Sequence, residues 1–305
     1  MPVLRVRRKL LTSGLIASAF VICCVLAVQG EPVKIDMLRI GTSGTLNPEG
    51  KDANDKSSLD TLRSFVKDET QLNSEIIREN DWQDLADKMS KRDLHVGVFQ
   101  GFEFARAREK YNKLQPLAVA VNVYTYPVVY VVTRRKDQAS DFKGLQGQSL
   151  ALVSNAPGYL KFYVDRQCDA AGKKPDAFFS KIVYRDNSED AIDDVVDGVI
   201  DATVADRATL DSYKRRKPAR FNRLKSIAES KPFPPAVVAC FDGVLDEATI
   251  KQFRNGLLDA ANKEKGQTML NLFRLTGFIL PPADFNEHLA ASLKDYPPEN
   301  NGKAK

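Results

Sequence analysis

Histidine, cysteine and tryptophan are scarce in this 305-residue chain, which holds two His, four Cys and one Trp. His95 and His288 lie far apart, and neither has a Ser, Cys or carboxylate at the spacing of a nucleophile–base pair. Hydrolase and transferase chemistry built on such a pair is therefore not expected, and the chain reads as a non-enzyme. No CxxC and no His/Cys cluster is present, so neither a metal site nor a cofactor is expected. The segment from Gly44 to Gly50-Lys51 is not a phosphate P-loop, because it has one intervening residue too many and Asp52 replaces Ser or Thr. Excess charge of one sign is also lacking. The chain has 45 Lys and Arg against 40 Asp and Glu, but Arg5, Arg7, Arg8 and Lys9 sit in the first thirty residues, which hold no acid. The remainder is close to neutral, which argues against a nucleic-acid footprint.

What is present begins with that basic head. It precedes an uncharged, mostly apolar run from Leu10 to Val28, and Gln29-Gly30-Glu31-Pro32 returns to polar sequence. This is the architecture of an export signal, assigned to residues 1–30. The run approaches the length that spans a bilayer, so an uncleaved anchor is the alternative. Cys23 and Cys24 are apolar filler within it. Cys168 and Cys240 are expected as two separately buried thiols.

Beyond the signal, short β-rich runs alternate with helical patterns. Leu38–Gly41, Glu75–Arg78 and His95–Phe99 read as strands. Helices follow at Leu59, Leu62, Phe65 and Val66, at Trp82, Leu85, Ala86 and Met89, and from Gly101 to Lys110. Such alternation implies α/β architecture with mostly parallel sheets. Further strands are read at 117–123, 128–133, 149–153, 182–184, 200–205, 224–228 and 237–241, and helices at 246–262, 267–275 and 283–294. Ser188 is read as the cap of a helix that Gly198 ends, and Asp206 as the start of the next. Lys214-Arg215-Arg216-Lys217 is read as part of a solvated loop.

Two connections divide the chain, at 122–127 and 229–236. Residues 36–121 and 237–295 are assigned to one discontinuous lobe, residues 128–228 to the other, and 296–305 to a loose tail. Two crossings between lobes make a hinge, with one antiparallel crossing strand expected per lobe. A ligand cleft is expected at the C-terminal ends of the strands. The central stretch is Ser154-Asn155-Ala156-Pro157-Gly158-Tyr159, which stops a strand and opens a helix. Its unpaired N–H groups and the positive end of the helix dipole form one candidate wall.

Several features in this order resemble the periplasmic phosphate/phosphonate-binding proteins of ABC importers, which have a two-lobed type II periplasmic-binding fold. They are Leu38-Arg39-Ile40-Gly41, Leu145-Gln146-Gly147 before an apolar strand, Gly158-Tyr159-Leu160, Gly198-Val199-Ile200-Asp201-Ala202, Asp206, and Ser230-x-Pro-x-Pro. The resemblance covers most of residues 36–260. It implies a periplasmic protein, acting as a monomer, that captures a small anionic or zwitterionic solute and delivers it to an ABC permease in the membrane. The departures bear on the ligand. The family's Ser-Thr-Ser run falls on Asn155, Ala156 and Pro157, and Pro157 offers no N–H. The family's oxyanion-binding His falls on Ser188, among Asp186, Glu189 and Asp190, a poor setting for a dianion. Asp206 keeps the position that meets a ligand amine in aminophosphonate binders. The alternative reading keeps the fold but makes the chain a membrane-tethered sensory or scaffold module.

The candidate ligand residues are Thr42, Ser43 and Thr45 beyond the first strand; Phe102 after the third; and Tyr126, which with Tyr124 flanks the first crossing. To these are added Ser154, Asn155, Gly158 and Tyr159, then Ser188 and Asp206. Tyr124 or Tyr126 is expected to meet ligand while the other packs the hinge. At least one of Phe102 and Phe104 is expected to be helix core.

Overall fold

The protein is described by a computed structural model over residues 35–43, 56–154 and 156–297. The export segment, Thr45, Asn155 and the tail beyond Pro297 lie outside these residues. The strands are β1 (Met37–Ser43), β2 (Asn73–Glu79), β3 (Val96–Phe99), β4 (Leu114–Val121), β5 (Val129–Arg134), β6 (Ser149–Val153), β7 (Lys181–Arg185), β8 (Ala202–Asp206), β9 (Leu224–Glu229), β10 (Val237–Phe241) and β11 (Gly277–Ile279). The α-helices are α1 (Lys56–Thr70), α2 (Trp82–Ser90), α3 (Gly101–Lys110), α4 (Gly158–Ala170), α5 (Pro175–Phe178), α6 (Ser188–Asp197), α7 (Arg207–Arg216), α8 (Pro218–Phe221), α9 (Glu247–Leu258), α10 (Glu264–Leu272) and α11 (Phe285–Asp295).

Two sheets result, one with the order β11-β4-β10-β3-β1-β2 and the other β7-β6-β8-β5-β9. In the first, β1 runs parallel to β2 and β3, while β10 runs antiparallel to β3 and β4. In the second, β6 is parallel to β7 and β8, while β5 is antiparallel to β8 and β9. Each sheet thus takes one inserted strand from the far side of a crossing, as the sequence implies. The first sheet carries an additional antiparallel edge strand, β11, beside β4. The inner strands are buried on both faces: every residue of β8 and β10 is buried. That explains why they read as unbroken apolar runs and not as alternating ones.

The chain passes between the sheets twice, from β4 to β5 and from β9 to β10, and the two passages run side by side. Ala120 N–H donates to Ala236 O at 2.8 Å and Phe233 N–H to Pro127 O at 2.9 Å. Ser230 and Val129 exchange two bonds, Ser230 N–H to Val129 O and Val129 N–H to Ser230 Oγ, each 2.9 Å. The prolines around Phe233 have no N–H and hold the passage extended. The start of α3 lies against it. A Cβ on Gly101 would fall 2.1 Å from Pro234 O and 2.5 Å from Pro235 O, so only glycine permits this approach.

Each sheet has its own core. Leu38, Phe65, Leu85, Met89, Phe99, Phe104 and Val238 pack about the first, and Val129, Leu150, Val164, Phe178 and Val204 about the second. Cys240 belongs to the first and Cys168 to the second; both are free thiols. Burial pushes their pKa values up, to about 11 for Cys240 and about 12 for Cys168. Among the described residues no helix is long and apolar enough to cross a membrane.

Two local readings are corrected. Asn187, not Ser188, caps α6: its Oδ1 accepts from Asp190 N–H at 2.9 Å, and Ser188 becomes the first helical residue. The basic run is not a loop. Lys214, Arg215 and Arg216 form the last turn of α7, and Lys217 links it to α8. Glu189, Asp193 and Asp197 recur every four residues on one face of α6 and receive Arg216, Lys217 and, from α8, Arg220. Arg216 and Lys217 pair with Glu189 at 2.6 Å each, and Arg220 of α8 pairs with Asp193 and Asp197 at 2.7 Å each.

Asp193 is the centre of this network. Its carboxylate accepts from Tyr213 Oη at 2.6 Å, Lys217 Nζ at 2.5 Å and Arg220 Nε at 2.7 Å. Burial raises its pKa, but these three bonds outweigh burial and hold it below the ordinary carboxylate value. A depressed folded-state pKa gives stability that is fully present above the unfolded value, about 3.9. That stability is lost as pH falls through the folded value. In urea titrations, Asp193→Asn is expected to be less stable than wild type from pH 8 down to about 5, with the difference shrinking below about pH 4. An acid limb identical in the two proteins would contradict the network.

Candidate functional site

The strands that run parallel within each sheet end towards the crossings, and the candidate residues lie beyond those ends. The structure divides them into three groups.

The first group faces inward. Ser43, buried at the end of β1, donates through Oγ to Glu103 Oε2 at 2.7 Å, and Gln100 N–H donates to the same oxygen at 3.1 Å. Glu103 and Gln100 form a capping box at the start of α3. Ser43 therefore fixes a helix terminus to β1, while Thr42 beside it is half-buried. Phe102 is 6% exposed and its ring lies parallel on Phe162 of α4, so it does not present a free face. Phe104 is fully buried in the core of the six-stranded sheet.

The second group consists of residues held by partners that the sequence does not reveal. Tyr124 Oη donates to Asp211 Oδ2 of α7 at 2.6 Å, with the Arg207 guanidinium 4.6 Å from its ring centroid. Tyr126 Oη donates to Asp284 Oδ1 at 2.5 Å, and its ring stacks on His288 of α11 with centroids 3.7 Å apart. The two tyrosines thus clamp the first crossing to opposite sheets. Burial and the Asp284 bond raise the pKa of Tyr126, and the same bond lowers that of Asp284. Tyr159, at the start of α4, donates through Oη to Asp206 Oδ2 at 2.7 Å, and its ring stacks on Phe233. Burial, then the Asp206 charge, push its pKa well above the ordinary tyrosine value. Asp206 is 5% exposed and its other oxygen caps α7, accepting from Thr209 N–H at 2.8 Å. Ser154 is half-buried and its N–H donates to Arg185 O at 3.0 Å, continuing the β6–β7 ladder. Gly158 opens α4 behind Pro157, which supplies no side-chain cap.

The third group surrounds an open cavity of about 560 Å³. Asn122 and Val123 of the first crossing form one wall. The first turns of α6 and α7 form the other, including Ser188, Thr209 and Ser212. Ile192 and Tyr213 line the cavity as well, together with the exposed charges of Asp190, Arg215 and Arg216 and with Glu189. The four polar side chains Asn122, Ser188, Thr209 and Ser212 are half-buried, and none has a hydrogen-bond partner among the described residues. The N-terminal turns of α6 and α7 both border this space, capped by Asn187 through Asp190 N–H and by Asp206 through Thr209 N–H. Val123 holds φ at +62°, a costly conformation for a β-branched residue. Its N–H donates to Thr276 Oγ1 at 3.0 Å, which fixes this wall to the residue before β11.

Of the sequence-derived candidates, the structure thus brings Phe102, Tyr159 and Asp206 into one buried cluster and puts Ser188 in the cavity. Asn122, Thr209 and Ser212 were not among the candidates. Ser212 and Thr209 stand three apart, on adjacent turns of a helix that begins at the recognised Asp206, and that spacing is the signal that could have found them.

Two mixed sheets joined by paired crossings, with helix N-termini gathered beyond the strand ends, define the type II periplasmic-binding fold. Solved structures share it at low sequence identity. XAC2383 from Xanthomonas citri bound to chloride ion aligns at 18% identity and a TM-score of 0.58, over 86% of this chain and 97% of that one. PhnD1 from Prochlorococcus marinus in complex with methylphosphonate aligns at 14% identity and 0.56, over 85% and 97%. The binding protein component of an ABC phosphonate transporter from Pseudomonas aeruginosa aligns at 13% and 0.51, over 82% and 83%. The chain belongs to the family of periplasmic substrate-binding proteins of phosphonate ABC transporters, whose family model matches residues 46–285. No curated protein matches significantly. Family membership places the chain among solute-binding proteins that act outside the cytoplasm with an ABC permease.

Proposed function

We propose that this protein captures a small zwitterionic or singly charged anionic solute of the phosphonate type in the cavity beside the first crossing, and presents it as a monomer to an ABC permease. The observation that carries this reading is the convergence of Asn122, Ser188, Thr209 and Ser212, all unpartnered, on one cavity at two helix N-termini. Hydroxyl and amide donors with helix N–H groups suit anionic oxygens. The charged lining decides against a dianion. Glu189 is already neutralised by Arg216 and Lys217, but Asp190 adds a carboxylate that, among the described residues, accepts from Asn187 alone. A solute with both signs can use Arg215 and Asp190 together. The methylphosphonate held by the Prochlorococcus marinus relative supports a phosphonate-sized ligand.

Titration calorimetry with methylphosphonate, aminoalkylphosphonates, phosphate, phosphite, sulfonates and amino acids tests this. At least one of these solutes is expected to bind. Ser188→Ala and Thr209→Ala are each expected to weaken it about tenfold or more, the worth of a hydrogen bond to a charged group. Neither side chain has a partner among the described residues, so the melting temperature should hardly move. If no solute in the panel raises the melting temperature or gives heat, the reading fails.

A further inference from the structure

Aromatic rings from four separate segments meet between the two sheets. Phe102 of α3 lies on Phe162 of α4, centroids 4.3 Å apart and planes 4° from parallel. Phe233 of the second crossing is fully buried and meets both rings edge-on, at 6.3 and 6.2 Å. Tyr296, just past α11, stacks on Phe233 at 4.7 Å and 16° and touches Phe162 edge-on at 5.7 Å. Arg106 of α3 spans the group. Its guanidinium lies 5.7 Å from the Phe102 centroid and 5.3 Å from that of Phe162, and Nη2 donates to Tyr296 O at 3.2 Å.

The ownership of these residues matters. α3 and α11 otherwise pack in the core of the six-stranded sheet, through Phe104, Ala105, Ala107, Phe285 and Leu289. Phe102 and Tyr296 instead pack in the core of the five-stranded sheet. Each of the two helices therefore sends one residue across the seam. Parting the sheets would strip Phe102 from Phe162 and Tyr296 from Phe233, exposing rings that are now 7% accessible or less for Phe102, Phe233 and Tyr296. The loss is the same with or without a solute. None of these residues lines the cavity beside the first crossing, so a solute can enter it while the seam stays shut.

We propose that this aromatic seam holds the two lobes together in the solute-free protein, with Tyr296 as a C-terminal strap, so that closure precedes solute binding. The inference goes beyond the proposed ligand and does not require that any solute bind.

The described strands and both cores lie within residues 35–297, and Pro32–Lys305 forms one compact unit, which is used for the test. Spin labels are placed at Lys91→Cys, the exposed C-cap of α2, and Lys181→Cys, the exposed start of β7 in the other sheet; the native Cys168 and Cys240 are buried. Electron–electron double resonance is expected to give one narrow distance without solute, unchanged by methylphosphonate or inorganic phosphate. Tyr296→Ala, and truncation after Asp295, are expected to add a second, longer distance. A broad or longer distance in the solute-free wild type that shortens with either anion would overturn ligand-independent closure. A Tyr296→Ala profile identical to wild type would overturn the strap. The wild-type arm needs no variant to fold, and the solute-free distance is decided whether or not the ligand proposal survives.

Discussion

Phe233→Ala is expected to lower the melting temperature by roughly 6–20 °C. Truncating a fully buried Phe costs about 3–5 kcal/mol, in lost transfer free energy and in the cavity left behind. In a chain of this size each kcal/mol moves Tm by about 2–4 °C. The upper half of the range is favoured by position. The Phe233 ring is fully buried and contacts Phe102, Tyr159, Phe162 and Tyr296, which come from α3, α4 and the end of α11. Its neighbours cannot collapse into the space. Pro232, Pro234 and Pro235 hold the crossing extended, and Pro234 already abuts Gly101. Phe233→Leu keeps most of the volume and should recover more than half of the loss. Scanning calorimetry of the three proteins decides the matter. A Phe233→Ala loss below about 1 kcal/mol would mean that the ring is not buried as described.

None of this was visible in the sequence around Phe233. Ser230-Lys231-Pro232-Phe233-Pro234-Pro235 reads as a rigid, extended connection, and the backbone is one. The ring's partners stand about 130, 75, 70 and 60 positions away in sequence, and no local pattern couples positions at such separations. What local patterns do carry came through. Ser149–Val153, Val237–Phe241 and Gly101–Lys110 have the bounds read from sequence, because each is a run with a sharp turn or cap at its end. β11 leaves no mark in the sequence, since three residues between two helical patterns give no period to read. α5 and α8 are single turns opened by Pro175 and Pro218, below the length at which a helical stripe shows.

The site follows the same division. Asp206 could be read as a helix cap from its place before an apolar-periodic segment, and its capping bond to Thr209 is present. That Tyr159 takes its second oxygen could not be read, because it depends on how β6 and β8 lie side by side. Ser188 aligns with the family's oxyanion-binding His and stands where the sequence predicts a helix cap. Its hydroxyl is unpartnered for a reason one residue away: Asn187 has taken the capping role. The basic run at 214–217 is the instructive miss. Its acids at 189, 193 and 197 carry a four-residue spacing that is legible, but only to a reader who pairs the two helices.

Asp206→Ala is expected to cost about 1.5–5 kcal/mol. It removes the α7 cap, worth about 0.5–2 kcal/mol. It also strands the Tyr159 hydroxyl in an enclosed setting, at about 1–3 kcal/mol. Asp206→Asn keeps one carbonyl oxygen for the Thr209 cap and turns an amide N–H towards the Tyr159 hydroxyl, which can accept it, so the charge is removed while the shape is kept. It should retain most of the stability while the Tyr159 pKa falls, as the Asp206 charge stands behind burial among the causes of its elevation. Ultraviolet titration of tyrosinate, with Tyr159→Phe as the blank, reads that change. The same pair of residues bears on the ligand. The Tyr159 hydroxyl and a ligand ammonium would compete for Asp206 Oδ2, and the carboxylate has no cation beside it among the described residues. Tyr159→Phe leaves the cap intact and vacates that oxygen. If Asp206 receives a ligand amine, this variant binds an aminoalkylphosphonate more tightly than wild type does, and binds the amine-free analogue no better. If both affinities stay as in wild type, Asp206 serves the fold as a helix cap, and recognition of a zwitterion rests on Asp190 and Arg215 of the cavity lining.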